Sequence, residues 1–559
     1  MKREIMNDLL SWKRSPHRKP LILNGVRQVG KTWALKELGR TAYENCVYIN
    51  FEEYPEFRQY FATTKEPQRI VQNLMIATGK KITPGDTLLI FDEIQACGEA
   101  LNSLKYFQEN APEYHVACAG SLLGVLLAKA RSFPVGKVDF LDVHPLTFSE
   151  FLEANGDGHF REAMASVDAL EPLPDALHNP LSEKLKMYFV VGGMPEPVAL
   201  WTQERDIEGA DAALEAILRA YERDFMKHPE RNMFDRIMTI WSSIPSQLAR
   251  ENKKFLYSAA KENARGREYE GALQWLVESG VALKVFRSER PYLPLSAYDD
   301  LSAFKIYLAD AGLLRRKAAL STTAFHEGNR LFTEFKGALT ENFVLQSLRA
   351  AFEVAPRYWS QAKPQYEIDF IIQRENDVFP VEVKSDLSVR SPSLHYFKTK
   401  FADAVKLRLR FSMQNLHLDE DLLNIPLYMI DQTDRLIGLA LEKISAQRTT
   451  AAAKNEPAQK EPQAFPALKE RNLYILSRKD ASTLVTIDLA TGERYTIDLS
   501  RTQWLGSGEP AAGTAIQGAL LNTDGTKLYG TVSEIRELPE CFQKALANEG
   551  EETSHRVAD

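Results

Sequence analysis

The sequence lacks the features of a secreted, membrane-bound or disulfide-stabilised protein. Its 559 residues include only 4 cysteines, which lie far apart and form no C-x-x-C pair. This spacing excludes a disulfide framework and a zinc knuckle, and it favours a reducing cytoplasm. The first residues contain no apolar segment of the signal-peptide type. The longest apolar stretch, around residues 120–128, is too short to span a bilayer, so we expect a cytoplasmic protein with no membrane partner.

An excess of positive charge is also missing. The formal net charge is −7, so binding of nucleic acid would require a local basic face. The hydrophobic content of 44% and the charged content of 26% are those of a soluble globular protein. A chain of 559 residues is too long for one hydrophobic core, so we expect several domains.

A glycine-rich stretch follows the first apolar run of the chain. The run ends at residue 24, and the pattern G-x-x-x-x-G-K-T comes next, formed by Gly25, Gly30, Lys31 and Thr32. A helical stretch follows, and a strand, a glycine-rich loop and a helix in this order predict a phosphate-binding loop. Lys31 would reach the phosphates, and Thr32 would offer its hydroxyl to a metal ion. The residues expected to bind the cofactors ATP and Mg²⁺ are Gly25, Val26, Arg27, Gln28, Val29, Gly30, Lys31, Thr32 and Trp33.

A second apolar run, about sixty residues further on, ends in two carboxylates. Residues 87–91 read as a buried parallel strand, and Asp92 and Glu93 follow at its carboxyl end, where open α/β sheets bind ligands. Asp92 would hold Mg²⁺ together with Thr32, and Glu93 would orient or deprotonate the attacking water. Ser121, after a later strand, would lie beside the γ-phosphate or would cap the following helix. The predicted catalytic residues are Lys31, Glu93 and Ser121.

Strands and helices alternate up to about residue 150. The predicted strands are Leu21–Asn24, Cys46–Phe51, Thr87–Phe91, His115–Ala119 and Val138–Val143. The helices predicted between them are Thr32–Gly39, Pro67–Thr78 and Leu101–Asn110. This alternation predicts a parallel sheet covered by helices.

The middle of the chain has helical apolar spacing with short strands. Helices are predicted at Arg236–Leu248 and Arg267–Gly280, with a strand at Ala282–Arg287. A helix pair followed by a β-ribbon suggests a winged helix. Basic residues gather around the loop between these helices and the start of the second one, at Lys253, Lys254, Lys261, Arg265 and Arg267. This face could contact double-stranded DNA, or it could be the ordinary charged surface of a packing module.

A further group of charged residues lies between residues 337 and 385. Glu341 falls on a predicted helix, Asp369 on the next strand, and Glu382 and Lys384 on the strand after that. This arrangement resembles the PD-(D/E)XK nuclease fold. Asp369 and Glu382 would bind Mg²⁺, and Glu341 would support them. Lys384 would activate the attacking water or neutralise developing charge. The alternative is an amphipathic strand pair with solvated charges, or a nuclease fold that only binds.

Three further stretches, taken with the two motifs of the ATP site, resemble a known family. They are P-V-G-K at 134–137, P-L-T-F-S-E-F at 145–151 and G-G-M-P at 192–195. Over residues 1–445 the chain is similar to the predicted bacterial and archaeal AAA+-type ATPases that end in a domain of unknown function. The resemblance implies a winged-helix segment, a homo-oligomer, and an arginine from a neighbour that completes the site, for which Arg131 is one candidate.

Together these patterns predict a multidomain α/β protein. The expected parts are an AAA+-type ATP-binding domain (1–204), a winged-helix-like domain (205–330), a nuclease-like domain (331–445), a linker (446–466), a small antiparallel β domain (467–545) and an acidic tail (546–559). We expect an ATPase that couples Mg-ATP to engagement of nucleic acid by the nuclease-like domain. The alternative is a nucleotide-gated regulatory scaffold whose nuclease fold is silent.

Overall fold

The computed structural model describes most of the chain. The described residues are 1–120, 136–226, 231–250, 253–262, 265–321, 330–385, 390–455, 469–480, 482–488, 493–505, 512, 514–522 and 527–534. Ser121, the helix predicted after it, Arg131, part of the predicted linker and the acidic tail lie outside these residues. Contacts within the chain divide it into two compact units, Met1–Gln447 and Arg448–Asp559.

The first unit begins with a five-stranded parallel sheet. Its strands are β1 (Leu21–Asn24), β2 (Asn45–Asn50), β3 (Thr87–Asp92), β4 (His115–Ala119) and β5 (Asp139–Asp142). Their order is β2-β3-β4-β1-β5, and every neighbouring pair is parallel. The sheet confirms the predicted parallel α/β fold. Because β4 lies between β1 and β3, the loops after all three strands meet at one edge of the sheet.

Both faces of this sheet are buried, which explains the continuous apolar runs. Along β3, Leu88 and Ile90 pack into the main core, whereas Leu89 and Phe91 pack into a second cluster on the opposite face. The helices around the sheet are α1 (Ile5–Arg14), α2 (Lys31–Ala42), α3 (Arg58–Ala62), α4 (Pro67–Thr78) and α5 (Gly98–Asn110). Such two-sided burial is typical of parallel strands.

A helical region follows the parallel sheet. Its helices are α6 (Phe148–Ala154), α7 (Gly158–Ala165), α8 (Asp175–Val191), α9 (Pro195–Glu204), α10 (Ile207–Phe225), α11 (Arg231–Leu248), α12 (Tyr257–Ala260) and α13 (Gly266–Glu278). An antiparallel hairpin, β6 (Ala282–Ser288) with β7 (Asp299–Leu308), comes next and is followed by α14 (Ala311–Lys317).

The hairpin is part of a larger sheet. This sheet has eight strands in the order β12-β13-β11-β10-β9-β8-β6-β7. The additional strands are β8 (Arg357–Gln361), β9 (Tyr366–Arg374), β10 (Asp377–Val383), β11 (Arg408–Ser412), β12 (His417–Asp419) and β13 (Leu422–Pro426). Strand β6 pairs with β8 through Arg287 and Tyr358. The hairpin therefore continues the sheet of the following segment, although the sequence places a domain boundary between them.

Among the described residues, three more α-helices follow α14 in the chain. Helix α15 (Arg330–Ala351) packs on one face of β10, while α16 (Pro392–Lys400) packs with β9 and β10 from the other. Helix α17 (Thr433–Asn455) extends into the predicted linker. Its first half is buried at Leu436, Ile437 and Ala440. These buried residues come before the predicted linker, so packing holds the start of the helix, which then continues into the linker-like stretch as far as Asn455.

The second unit contains a six-stranded sheet. Its strands are β14 (Lys469–Asp480), β15 (Thr483–Asp488), β16 (Arg494–Asp498), β17 (Gln503–Trp504), β18 (Ala515–Asn522) and β19 (Lys527–Glu534). The order is β16-β15-β14-β18-β19-β17, and β16 also pairs with β19. This last pairing is parallel, as is that of β17 with β19, unlike the predicted antiparallel pattern. It closes the sheet on itself and so leaves fewer unpaired edges.

Candidate functional site

The glycine-rich loop depends on glycines at two positions. Gly25 has a φ of 138° and Gly30 a φ of 102°, a region of backbone space that side chains disfavour. A Cβ atom on Gly25 would lie 2.4 Å from the carbonyl oxygen of Val143. The loop can therefore turn tightly against the chain that follows β5, and Gly30 leads directly into α2.

Lys31 is buried at the start of α2. It is 7% exposed, and its Nζ donates to the carbonyl oxygens of Gly25 at 2.6 Å and Val26 at 3.0 Å. Burial lowers the pKa of Lys31 to about 8, although Glu93 and Asp92 act in the opposite direction. The ammonium group thus rests on carbonyls of the loop, at the point where phosphate oxygens could replace them.

Thr32 and Asp92 are in direct contact. The Thr32 hydroxyl donates to Asp92 Oδ2 at 2.9 Å, and the Tyr48 hydroxyl donates to the same oxygen at 2.8 Å. Asp92 is 4% exposed. A hydroxyl and a carboxylate oxygen are ligands that suit Mg²⁺, and they lie close enough to share one ion. Sequence reasoning missed Tyr48, because a tyrosine on a neighbouring strand carries no motif.

Glu93 follows Asp92 at the edge of the sheet. Its φ is 48°, a left-handed conformation that is uncommon for a residue with a side chain and is often found at functional sites. Gln95 donates to the Glu93 carboxylate. This hydrogen bond holds the predicted water-activating group beside the loop.

A cavity of about 290 Å³ lies over the loop. Its lining residues are Arg27, Gln28, Gly30, Lys31, Thr32, Trp33, Asp92, Glu93, Gly120, Pro195 and Glu196. Most of the predicted ATP-site residues therefore share one cavity, and Gly120 brings the end of β4 to it. Pro195 and Glu196 begin α9 and were not assigned a role from the sequence. Their signal was the G-G-M-P stretch.

Arg27 connects the loop to the helical region. Its Nη1 lies 2.7 Å from both carboxylate oxygens of Asp224. Tyr221 donates to the Arg27 carbonyl oxygen at 3.0 Å. Both partners are buried on α10. A movement of the loop at Arg27 would therefore alter these contacts with α10.

The residues predicted as a nuclease site form two groups of contacts. Glu341 on α15 accepts hydrogen bonds from Lys253 and from the Tyr307 hydroxyl. After burial, the charge of Glu341 is the next cause that raises the pKa of Asp369. Glu382 instead pairs with Lys384 at 2.7 Å.

Strand alternation explains this division. Val381 and Val383, on either side of Glu382, pack into the main core. Glu382 therefore points to the opposite face of the strand.

Protein-family models match three segments of the chain, and the first of these segments contains the glycine-rich loop. Residues 17–152 match the model described as an AAA domain. This segment is an AAA-type domain. Residues 182–324 and 336–429 match two domains of unknown function, DUF8612 and DUF4143. The AAA-type domain contains the glycine-rich loop, Asp92 and Glu93, whereas Pro195 and Glu196 come from the segment that follows it.

Three solved structures that match this chain are distantly similar to it. The Walker-type ATPase of Pyrococcus abyssi is 16% identical, with a TM-score of 0.36, covering 56% of this chain and 95% of that one. A STAND protein with a tetratricopeptide repeat sensor from Pyrococcus horikoshii is 12% identical, with a TM-score of 0.22 and coverage of 63% and 46%. Cdc6p of Pyrobaculum aerophilum is 13% identical, with a TM-score of 0.20 and coverage of 58% and 93%. Comparison with the curated proteins finds no match.

A membrane-spanning helix was not expected from the sequence. Across the described part of the chain, no helix has both the length and the apolar character needed to cross a bilayer.

Proposed function

We propose that the protein binds Mg-ATP over the loop of residues 25–32 and hydrolyses it. The observation that carries this proposal is the 2.9 Å contact between Thr32 and Asp92 beside the buried Lys31. When bound, Mg²⁺ would neutralise charge on the phosphates. Thr32 and Asp92 would hold it, and the Lys31 ammonium would move from loop carbonyls to phosphate oxygens. Glu93 would orient the attacking water.

Calorimetry and turnover measurements test this proposal together. We expect Lys31→Ala to lose Mg-ATP binding, because the cation that faces the phosphates is removed. Glu93→Gln should bind Mg-ATP but turn it over slowly, since only the water-activating group is changed. Arg40→Ala is the matched control, because Arg40 lies on the same helix but is exposed. Failure of the folded wild-type protein to take up Mg-ATP would refute the proposal.

Engagement of double-stranded DNA is a second candidate function. Helices α11 to α13 followed by the β6–β7 hairpin have the element order of a winged helix. Lys261, Arg265 and Arg267 are exposed near the start of α13. Glu262, Glu268 and Glu270 are exposed in the same stretch of chain, so the formal charges of these six residues cancel. Lys253, predicted as part of this basic face, pairs with Glu341 instead. The candidate therefore depends on the three exposed cations.

Fluorescence anisotropy with a labelled duplex tests the DNA candidate. Replacing Lys261, Arg265 and Arg267 with alanine should weaken binding. The slope of the logarithm of affinity against the logarithm of salt concentration should become shallower by about 0.9 for each phosphate that is no longer neutralised. The exposed Lys363 provides a control substitution to alanine. Equal binding by the triple variant and the control would exclude this surface.

The third candidate is a nucleotide-gated scaffold, which the contact between Arg27 and Asp224 favours. Phosphate binding would compete with Asp224 for the guanidinium group. Hydrogen exchange in α10 should then change when Mg-ATP is added, and the change should be smaller in Asp224→Asn. Identical exchange with and without nucleotide would remove this candidate.

A further inference from the structure

A cluster of buried charges lies where the hairpin, α15 and β9 meet. The Lys305 side chain on β7 is 0% exposed and forms an ion pair with Glu367 on β9. Lys253 forms an ion pair with Glu341, and the Tyr307 hydroxyl donates to the other oxygen of Glu341 at 3.0 Å. Groups buried this deeply are retained only when they are paired.

A β-bulge turns Asp369 toward this cluster. Strand β8 pairs with β9 at Arg357 with Ile371 and at Trp359 with Ile368, so the register shifts between them. Asp369 and Phe370 therefore both oppose Tyr358. Bulges of this kind re-aim a side chain, and here Asp369 joins the face where the ring of Phe370 lies 5.9 Å from that of Tyr307.

Two lysines in the cluster act on its carboxyl groups. Burial, followed by the charge of Glu341, raises the pKa of Asp369 to about 7, while Lys305 and Lys253 act in the opposite direction. Burial opposes the charge of Lys305, but Glu367, Glu341 and Asp369 outweigh it and raise its pKa. Lys253 and Lys305 thus supply positive charge beside Glu341, Glu367 and Asp369.

The residues present do not fit a divalent metal. A metal site needs several carboxylate oxygens that converge on one ion. The Glu341 oxygens accept from Lys253 and Tyr307, and Asp369 Oδ2 accepts from the Val383 amide at 2.7 Å. Within the described ranges, no group of three or more His, Cys, Asp or Glu residues is arranged to hold a metal ion.

The two signs of charge come from different parts of the chain. Lys253 and Lys305 belong to the segment of residues 182–324. Glu341, Glu367 and Asp369 belong to the segment of residues 336–429. The cluster therefore lies at an interface between two segments that match separate families.

We propose that Lys253 and Lys305 take the place of a divalent metal, and that the cluster is an ionic joint between these two segments and not a nuclease centre. Lys305 on β7 pairs with Glu367 on β9, and Lys253 pairs with Glu341 on α15. The nuclease-like fold then contributes a docking surface whose carboxylates are already occupied. This proposal is independent of ATP binding, because none of the residues of this cluster lines the cavity over the glycine-rich loop.

Thermal unfolding without nucleotide tests the joint. Lys305→Met should lower the melting temperature by about 5 °C or more, because it removes the cation that pairs with the half-buried Glu367 and that acts on Glu341 and Asp369. Lys305→Met combined with Glu367→Gln should recover part of this loss, since the unpaired charge is removed as well. Lys261→Met, an exposed lysine of the same segment, should have no effect. Equal melting of Lys305→Met and Lys261→Met would overturn the proposal.

A second comparison, of the wild type with Asp369→Asn, remains decisive if Lys305→Met fails to fold. Millimolar Mn²⁺ should leave both melting temperatures unchanged. Because the pKa of Asp369 is raised to about 7 from 3.8, its contribution to wild-type stability should fall as pH rises from about 4 to 7. This fall should be absent in Asp369→Asn. Stabilisation by Mn²⁺ that Asp369→Asn abolishes, or Mg²⁺-dependent DNA cleavage lost in that variant, would overturn the proposal.

Discussion

Lys31 has two sets of partners available to it. Without ligand, its ammonium group is satisfied by two carbonyl oxygens of the loop. A phosphate would offer charged acceptors, which form stronger hydrogen bonds. The loop therefore holds the Lys31 ammonium group in a position where it could bind an anionic ligand.

The pH dependence of nucleotide binding should report on this residue. Because burial lowers the pKa of Lys31 to about 8, the free protein loses the required proton above that pH. The Kd for Mg-ATP should therefore rise about tenfold for each pH unit above 8. Lys31→Arg keeps its charge and should show a flat profile if it binds. Titrations from pH 7 to 10 measure this, and a flat wild-type profile would contradict it.

Lys31 should also make the stability of the free protein depend on pH. Stability should increase at high pH, where binding of Mg-ATP weakens. A lysine whose pKa is lowered by folding binds its proton less tightly in the folded state than in the unfolded state. The unfolding free energy of the free protein should thus rise between about pH 8 and 10.5. Lys31→Met should lack this rise. Urea denaturation of both proteins across this range measures it, and parallel curves would argue against it.

At the scale of elements, the ion pair between Arg27 and Asp224 joins the loop to α10, beside the hydrogen bond from Tyr221. Asp224 is buried, and the Arg27 side chain is 34% exposed. Removing the Arg27 guanidinium should therefore have a different effect from removing the Asp224 charge. Loss of Arg27 leaves a buried carboxylate without its cation, whereas loss of the Asp224 charge leaves a guanidinium that can reach water.

Arg27→Ala should consequently destabilise the fold more than Asp224→Asn. We expect about 2–3 kcal/mol for Arg27→Ala and less than about 1 kcal/mol for Asp224→Asn, whose amide can still accept a hydrogen bond. The double variant should cost less than the sum of the two. Urea denaturation measures all three proteins, and additive losses would show that the pair is not coupled.

At the scale of the whole molecule, the chain contains two units, and the first is larger than any of its predicted domains. Residues 1–447 form one unit, in which the β6–β7 hairpin and β8 to β13 share a sheet. The second unit has its own core, with Leu473, Ile475, Leu484 and Ile497 at its centre.

Truncation should therefore depend on where the chain is cut. A chain ending at Gln447 should melt cooperatively and keep its affinity for Mg-ATP. A chain ending at residue 330 should aggregate, because β6 loses its partner β8 and exposes an edge. Size-exclusion chromatography and thermal unfolding distinguish these outcomes. Stable, monomeric behaviour of the shorter chain would show that the shared sheet is dispensable.

Much of the AAA-type domain could be predicted from local pattern. The five strands lie within two residues of their predicted ends, because strands buried on both faces give unbroken apolar runs. The motif spacing also predicted that Thr32 and Asp92 meet. The shared eight-stranded sheet could not be predicted, since the pairing of Arg287 with Tyr358 joins residues about seventy positions apart.

The sequence by itself determined the glycine-rich loop, since glycines, a lysine and a threonine at fixed spacing act within one turn of chain. Only the tertiary structure decided what surrounds it: Tyr48 on Asp92, Pro195 at the cavity, and Asp224 on Arg27. It also decided that Lys305 pairs with Glu367 on β9, whereas Lys384 pairs with Glu382 on its own strand. These contacts join distant parts of the chain, and neither composition nor periodicity records which distant residues will meet.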